Sequence, residues 1–243
     1  LEKRQEHEEK KQSDPGKLLL RVRPKSVDAD ISNIERLMDQ AVNERAWPGG
    51  VLLAAKDGNI FYQRGHGYHT YDKKSPTRSS DIFDLASITK VVSTTSAIMK
   101  LQDLKKLDIN RPVVKYLPEF KGSNKKYFSQ KSSITIKDLL AHVSGLPSFK
   151  KYYETEKTKE SLLTSIFDTD PLYENRDTTI YSDVGAIILG QIVEKVSGLT
   201  LETFVDSMVF EPLGMSTTFF NPPSIKKHRI VPTEISSEGN LIH

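Results

Sequence analysis

Residues 83–90 read FDLASITK, and they open the longest uninterrupted helical pattern in the chain. Neither glycine nor proline occurs from residue 87 to residue 110. Apolar side chains recur there at helical spacing, at Ile88, Val91, Val92, Ile98, Met99, Leu101 and Leu104. The spacing predicts a helix of about five turns that begins at Ser87. With so much apolar surface, this helix is expected to lie centrally.

The segment before this helix predicts one further helix and an antiparallel hairpin. Residues 28–42 carry apolar side chains at helical spacing, and residues 48–50, PGG, end that pattern. Residues 51–55, VLLAA, are typical of a buried strand. Asp57-Gly58 then predicts a two-residue turn, and residues 59–64 the return strand.

The segment after the long helix is predicted to be mainly helical. Residues 135–138, TIKD, have the pattern of a capping box, and residues 160–168 form a plausible helix. Residues 183–196 have clear apolar periodicity, and Gly198 follows in the C′ position. Thr200 can cap one more helix.

Strands that come first and helices that follow predict an α+β fold, with a mainly helical block and part of an antiparallel sheet. We expect four segments in chain order. They are a charged tail or linker over residues 1–16, an N-terminal helix and hairpin over 17–86, a helical subdomain over 87–215, and a return segment over 216–243.

Composition excludes several classes of protein. The chain has 243 residues and no cysteine, which excludes disulfides, thiol nucleophiles and cysteine-ligated metals. A net charge of +3 is too small to indicate a nucleic-acid partner. No apolar run approaches the roughly 20 residues of a membrane-spanning helix.

Several motifs typical of other enzyme and binding sites are missing from the sequence. The sequence contains no Gly-x-Ser-x-Gly, no phosphate-binding Gly-x-x-x-x-Gly-Lys-Ser/Thr and no His-Glu-x-x-His. His66 and His69 are a possible ligand pair, but a spacing of three on a strand directs the two rings to opposite faces. We therefore interpret them as the exit of the hairpin.

A serine three residues before a lysine is a candidate nucleophile with its proton acceptor, because positions i and i+3 share one face of a helix. The pattern occurs four times, beginning at Ser87, Ser123, Ser148 and Ser224. Only Ser87 begins a long apolar helix, where a free backbone N–H and the helix dipole favour negative charge. The alternatives are that Ser87 is a plain N-cap and that Lys90 is a solvated side chain.

The proton shuttle to a leaving group needs a partner, and two tyrosines are candidates. Tyr181 comes immediately before the strongly patterned helix at Asp183, which would hold it rigidly. Tyr173, in Tyr173-Glu174-Asn175, lies in a less ordered stretch. Either could also be an ordinary half-buried tyrosine near a helix start.

Four ordered blocks resemble the serine β-lactamase and penicillin-binding-protein-like family, in its branch of class C β-lactamases, esterases and D,D-peptidases. The blocks are FDLASITK at 83–90, LLAHVSGLP at 139–147, YSDVG at 181–185 and PLGM at 212–215. The resemblance covers roughly residues 28 to 225.

The resemblance implies a serine hydrolase that forms an acyl-enzyme on an ester, a D-amino-acid peptide or a β-lactam. By it, Ser87 is the nucleophile, Lys90 its base or proton relay, and Tyr181 a base and later an acid. Asp183 occupies a substrate-binding position where the family usually has Asn, and a carboxylate there repels negative groups of a substrate. His142 is similar to a scaffold residue of the family.

The family carries a third motif, Lys/His-Thr/Ser-Gly, on a strand that faces the serine, and none is found after Tyr181. We therefore expect a C-terminally truncated chain or an impaired site. The alternative function is a binding or regulatory module, or a domain covalently fused to another enzyme. No cofactor or metal is implied, and the expected partner is a small-molecule or peptidoglycan-like substrate. The resemblance alone suggests an exported or periplasmic protein.

Overall fold

The computed structural model describes residues 31–222, 229–235 and 241–242. The chain divides into two compact units, one formed by residues up to Leu85 together with those from Thr217 onward, and the other by Ala86–Ser216. The charged tail expected over residues 1–16 lies outside the described residues. The α+β prediction is confirmed, since the described strands belong to the first unit and most helices to the second.

The first described elements of this unit are helix α1 (Ile31–Asn43) and the antiparallel hairpin of β1 (Gly49–Lys56) and β2 (Asn59–Gly67). The hairpin and its turn are confirmed. The expectation of a buried first strand is wrong, because β1 is mostly half-buried and Leu53 is 46% exposed. Alternate side chains of a strand face opposite sides, so one side of an isolated hairpin faces water.

The return segment rejoins this unit through backbone pairing. The N–H of Ile82 donates to the carbonyl of Arg229 at 2.8 Å, and the N–H of Val231 donates to the carbonyl of Ile82 at 2.9 Å. Two short strands, β3 (Glu234–Ile235) and β4 (Leu241–Ile242), pair antiparallel beyond it.

The second unit contains seven α-helices in chain order within the described residues. They are α2 (Ser96–Asp103), α3 (Phe128–Ser133), α4 (Ile136–Leu140), α5 (Tyr152–Thr155), α6 (Lys159–Phe167), α7 (Asp183–Ser197) and α8 (Leu201–Val205). Two π-helical turns adjoin them, Lys90–Thr95 before α2 and Asp206–Phe210 after α8. Three 3₁₀ turns lie at Val113–Lys115, Pro118–Lys121 and Lys125–Tyr127.

The predicted helix ends are confirmed where side chains cap them. Thr135 and Asp138 form a reciprocal capping box at α4. Thr200 caps α8, and Gly198 ends α7 in the left-handed conformation with φ 74°. These bonds satisfy backbone groups that lack a partner inside the helix.

The helix expected after Ser87 is central only in part. Its first part is a π-helical turn, in which Thr95 and Ser96 hydroxyls donate to carbonyls five residues earlier. Such a turn breaks the spacing of 3.6 on which the prediction depended. Ile88 and Val91 are 58% and 63% exposed, and Met99 and Leu104 are exposed as well.

The core of the second unit lies where α2 meets α7 and α8. Ile98 and Leu101 of α2 are fully buried, as are Ile188, Ile192 and Val193 of α7. Each such side chain contributes about 1.5–3 kcal/mol through removal from water. This packing anchors both the helix that follows Ser87 and the helix that begins at Asp183.

Within the described ranges, no single helix is both long and apolar enough to cross a membrane. The pair formed by Asp183–Ser197 and Leu201–Phe210, bent by 72°, meets the criteria of length and composition only when its two parts are taken together.

Candidate active site

Ser87 lies in the turn that leads into the helical segment. The residue before it, Ala86, has φ 44°, which a non-glycine residue rarely adopts. Ser87 is exposed, and Lys90 follows one turn later with its ammonium Nζ donating to Ser87 Oγ at 3.0 Å. The predicted contact between the serine hydroxyl and the lysine is therefore present.

The start of α7 brings the second group of side chains to Lys90. Ser182 is the N-cap residue, and its hydroxyl accepts the N–H of Gly185 at 3.1 Å while donating to the carbonyl of Pro147 at 2.7 Å. The N–H of Asp183 donates to the carbonyl of Ser148 at 2.8 Å. These bonds fix the backbone that carries Tyr181 and Asp183.

Lys90 is the centre of the site. Its Nζ atom lies 2.7 Å from Asp183 Oδ1 and 4.9 Å from the centre of the Tyr181 ring. Ser87 and Lys90 both act on the Tyr181 phenol, whose pKa they lower. The structure thus brings together all four predicted site residues, Ser87, Lys90, Tyr181 and Asp183.

These contacts set the protonation of the site. Burial lowers the pKa of Lys90, but hydrogen bonds to Asp183 and Tyr181 outweigh it, so the pKa is raised above its usual value. Hydrogen bonds from Ser87 and then Lys90 lower the pKa of Tyr181. A lysine acts as a neutral base only when its pKa is depressed. The contacts here raise the pKa of Lys90 and lower that of Tyr181, so they favour a lysine cation beside a tyrosine that ionises more easily.

A cleft of about 460 Å³ opens beside Ser87 and Lys90. Its walls are largely apolar and come from the stretch before α5 and from α7. The lining residues that the sequence did not single out include Phe149, Lys150, Ile187, Gly190 and Leu201. No local pattern distinguishes them from ordinary surface or core positions.

His142 is also part of the site. Its imidazole ring lies 4.8 Å from the Tyr181 ring, centre to centre. Its Nδ1 atom accepts the N–H of Ser182 at 3.1 Å. The family resemblance implied only a scaffold role for this histidine.

The competing tyrosine has different partners. Tyr173 contributes its backbone carbonyl to the side-chain amide of Gln130 at 2.5 Å. Asn175, two residues later, donates to the hydroxyl of Ser133 at 3.3 Å.

The other Ser-x-x-Lys pairs also have separate partners. Lys151 pairs with Glu154 at 3.0 Å, and Lys126 lies over the ring of Tyr127. The pair that begins at Ser224 lies outside the described residues.

The two histidines of the hairpin exit are bound to different carboxylates. His66 is buried, with Nδ1 2.9 Å from Asp39 and Nε2 2.8 Å from the Tyr62 hydroxyl. His69 lies 2.8 Å from Asp81. Among the described residues, no group of three or more His, Asp or Glu side chains is arranged to hold a metal ion.

Comparisons with known proteins identify the family. The chain matches the Beta-lactamase family over residues 34–238 and belongs to it. It is 33% identical over 226 residues to the N-acetylmuramyl-L-alanine amidase of Bacillus subtilis, covering 83% of this chain and 50% of the relative. A Salmonella gallinarum protein whose name proposes a D-alanyl-D-alanine carboxypeptidase is 34% identical over 215 residues, covering 82% and 50%.

The fold is shared with a solved structure, the octameric penicillin-binding protein homologue from Pyrococcus abyssi. The TM-score is 0.72 at 27% identity, over 88% of this chain and 50% of that one. The predicted resemblance to β-lactamases and penicillin-binding proteins is confirmed. The chain spans about half the length of the curated relatives it matches.

Proposed function

We propose that this chain carries the acyl-enzyme site of a serine hydrolase, with Ser87 as the nucleophile. The observation that carries the proposal is the Lys90 ammonium, which lies 3.0 Å from Ser87 Oγ and 2.7 Å from Asp183. The Tyr181 phenol, whose pKa is lowered by Ser87 and Lys90, is the proposed acceptor of the serine proton. Membership of a family of hydrolases supports the same reading.

Tyr181 is the base in this proposal, in its phenolate form. Ser87 Oγ attacks the substrate carbonyl, its proton passes to Tyr181 Oη, and Lys90 stabilises the phenolate as a cation. Tyr181 then gives the proton to the departing alcohol or amine, which leaves an ester on Ser87. Water attacks that ester as it gives a proton to the same tyrosine. Tyr181 then returns this proton to Ser87 Oγ as the bond between Ser87 and the acyl group breaks, which releases the acid and restores the phenolate.

The position of Ser87 supplies part of the electrostatic stabilisation. At the first turn of a helix the backbone N–H groups have no acceptor inside the helix, and the dipole favours negative charge. The Ser87 N–H is therefore proposed as one donor to the oxyanion of the tetrahedral intermediate.

Asp183 and the apolar cleft affect which substrates fit the site. A carboxylate beside Lys90 disfavours substrates that place negative charge there. An ester or a D-amino-acid peptide with an uncharged or cationic group at that point fits better than a β-lactam with its carboxylate.

The test is a panel of substrates given to the folded full-length protein and to Ser87→Ala. The panel contains a neutral nitrophenyl ester, a peptide ending in D-alanyl-D-alanine, and a chromogenic cephalosporin. Hydrolysis of one or more that disappears in Ser87→Ala supports the proposal. Ser148→Ala serves as the matched control, since Ser148 begins another Ser-x-x-Lys pair. Hydrolysis that is unchanged in Ser87→Ala, or absent from the wild-type protein for the whole panel, would contradict it.

A further inference from the structure

His142 restrains the backbone on both sides of Tyr181. Its carbonyl oxygen accepts the N–H of Ile180 at 2.8 Å. Its Nδ1 atom accepts the N–H of Ser182 at 3.1 Å. Its ring packs on the Tyr181 ring at 4.8 Å with 48° between the planes. One residue therefore contacts three consecutive residues, with Tyr181 in the middle.

The conformation of His142 serves this arrangement. Its φ of 58° is in the left-handed region, which costs roughly 1 kcal/mol for a residue other than glycine. Its N–H donates to the carbonyl of Leu139 at 3.2 Å, immediately after α4. The backbone of His142 is therefore bonded to the end of α4, and its side chain is bonded to the N-cap of α7.

The hydrogen bond also fixes the tautomer. A backbone N–H can only donate, so Nδ1 of His142 must carry the lone pair and the ring hydrogen lies on Nε2. The groups that act on the imidazole are Lys90 from the π-helical turn, and Tyr181 and Asp183 from the start of α7. Burial and then Lys90 lower the pKa of His142, and Asp183 partly offsets them.

We propose that His142 is a positioning residue for Tyr181, and that a proton on its Nδ1 atom releases the tyrosine from Ser87 and so sets an acidic limit to the reaction. A proton there removes the acceptor for the Ser182 N–H and adds a second cation next to Lys90. The inference rests on the proposed function of Tyr181 as base at Ser87.

Two substitutions separate positioning from folding. His142→Asn keeps an acceptor near the position of Nδ1, tolerates positive φ and does not titrate. His142→Leu removes the acceptor and with it the hydrogen bond from the Ser182 N–H. Circular dichroism and thermal unfolding of both variants report whether the fold is retained.

The experiment measures the rate at which a fluorophosphonate labels Ser87, from about pH 5 to pH 8. In the wild-type protein, the slope of log rate against pH increases by about one below the pKa of His142, since each further pH unit leaves only about one tenth of the active form. His142→Asn keeps the rate at high pH to within about threefold and lacks this break. His142→Leu is at least about tenfold slower throughout.

A break that persists unchanged in His142→Asn overturns the inference while leaving the proposed function intact. If the wild-type protein is not labelled at Ser87, the proposed function fails instead. In that case ultraviolet titration of the Tyr181 phenol, with Tyr181→Phe as the blank, decides the positioning role. His142→Leu shifts that titration to higher pH and His142→Asn does not, and equal titration curves in all three proteins overturn the inference.

Discussion

The Lys90 ammonium lies 2.7 Å from the Asp183 carboxylate, and this pair adjoins the hydroxyl of Ser87. Asp183 is one of the groups that raise the pKa of Lys90, and it also raises the pKa of Tyr181. Under the proposed function, the pair bears on both the charge that a substrate meets and the protonation of Tyr181.

Replacing Asp183 by Asn is expected to favour anionic substrates. Loss of the carboxylate removes a repulsion near the serine, so labelling by a fluorescent penicillin speeds up about three- to tenfold relative to a neutral ester. The gain shrinks as salt is added. Asp206→Asn, which removes one exposed negative charge outside the cleft lining, is the control and leaves the ratio unchanged. An unchanged ratio in Asp183→Asn would refute this role.

Replacing Tyr181 by Phe is expected to remove the proposed base without weakening the fold. The labelling rate of Ser87 falls by about 10²- to 10⁴-fold, while the unfolding free energy changes by about 0.5 kcal/mol or less. Tyr173→Phe is a matched control, because both tyrosines are 50% exposed. Full reactivity of Tyr181→Phe would show that another group accepts the serine proton.

The pKa of the Tyr181 phenol is a second measurable property of the same site. Because hydrogen bonds from Ser87 and Lys90 lower its pKa, this phenol titrates before an ordinary exposed tyrosine. The difference in ultraviolet absorbance between the wild-type protein and Tyr181→Phe isolates that titration. Lys90→Met moves the pKa of Tyr181 upward, and a titration that does not move would contradict the contact.

Gly145 is expected to be intolerant of a side chain. Its φ is +75°, and an added Cβ would lie 2.1 Å from the carbonyl oxygen of Tyr173. Gly198 has nearly the same φ, +74°, but open space around it. Urea unfolding should show a loss of about 1 kcal/mol for Gly198→Ala and about 3 kcal/mol or more for Gly145→Ala. Equal losses would mean that the carbonyl moves away freely.

Asp138 is expected to stabilise the segment that leads to His142. Asp138 is 4% exposed, and its carboxylate accepts the N–H of Thr135 at 2.8 Å and binds Arg176 through two bonds of 2.7 and 2.9 Å. Asp138→Ala should cost about 3 kcal/mol at neutral pH. Asp177→Ala, at an exposed carboxylate next to Arg176, is the control and should cost about 0.5 kcal/mol or less.

The cost of Asp138→Ala should depend on pH in one direction. Burial raises the pKa of Asp138, but Arg176 and Thr135 outweigh it and the pKa is lowered. A depressed carboxyl pKa stabilises the fold above the unfolded value and loses that effect as pH falls through the folded value. The difference between wild type and variant should therefore narrow in acid, as measured by urea unfolding at several pH values.

Much of the fold was predictable because it is encoded by neighbours in the sequence. The capping box of Thr135 and Asp138, the turn at Asp57-Gly58 and the cap of α7 at Gly198 each depend on residues a few positions apart. The π-helical turn at Lys90–Thr95 could not be predicted in the same way, since an apolar spacing of 3.6 contains no sign of a wider turn. Val91, which lies within that turn, was expected inside and is exposed.

The candidate site was predictable in its membership but not in its electrostatics. Ser87, Lys90, Tyr181 and Asp183 were found from motif and resemblance, yet the direction of the Lys90 pKa depends on a contact with a residue 93 positions away in sequence. The contacts of His142 with Tyr181 and Ser182 also join distant parts of the chain. Long-range contacts of this kind leave no local pattern.

The most direct test of the central claim is the intact mass and peptide map of the folded full-length protein after reaction with a fluorophosphonate. We expect one adduct, mapped to Ser87, absent from Ser87→Ala and formed far more slowly in Lys90→Met and Tyr181→Phe. A folded protein that acquires no adduct, or one that acquires it on another residue with Ser87→Ala unaffected, would contradict the claim that Ser87 is the nucleophile.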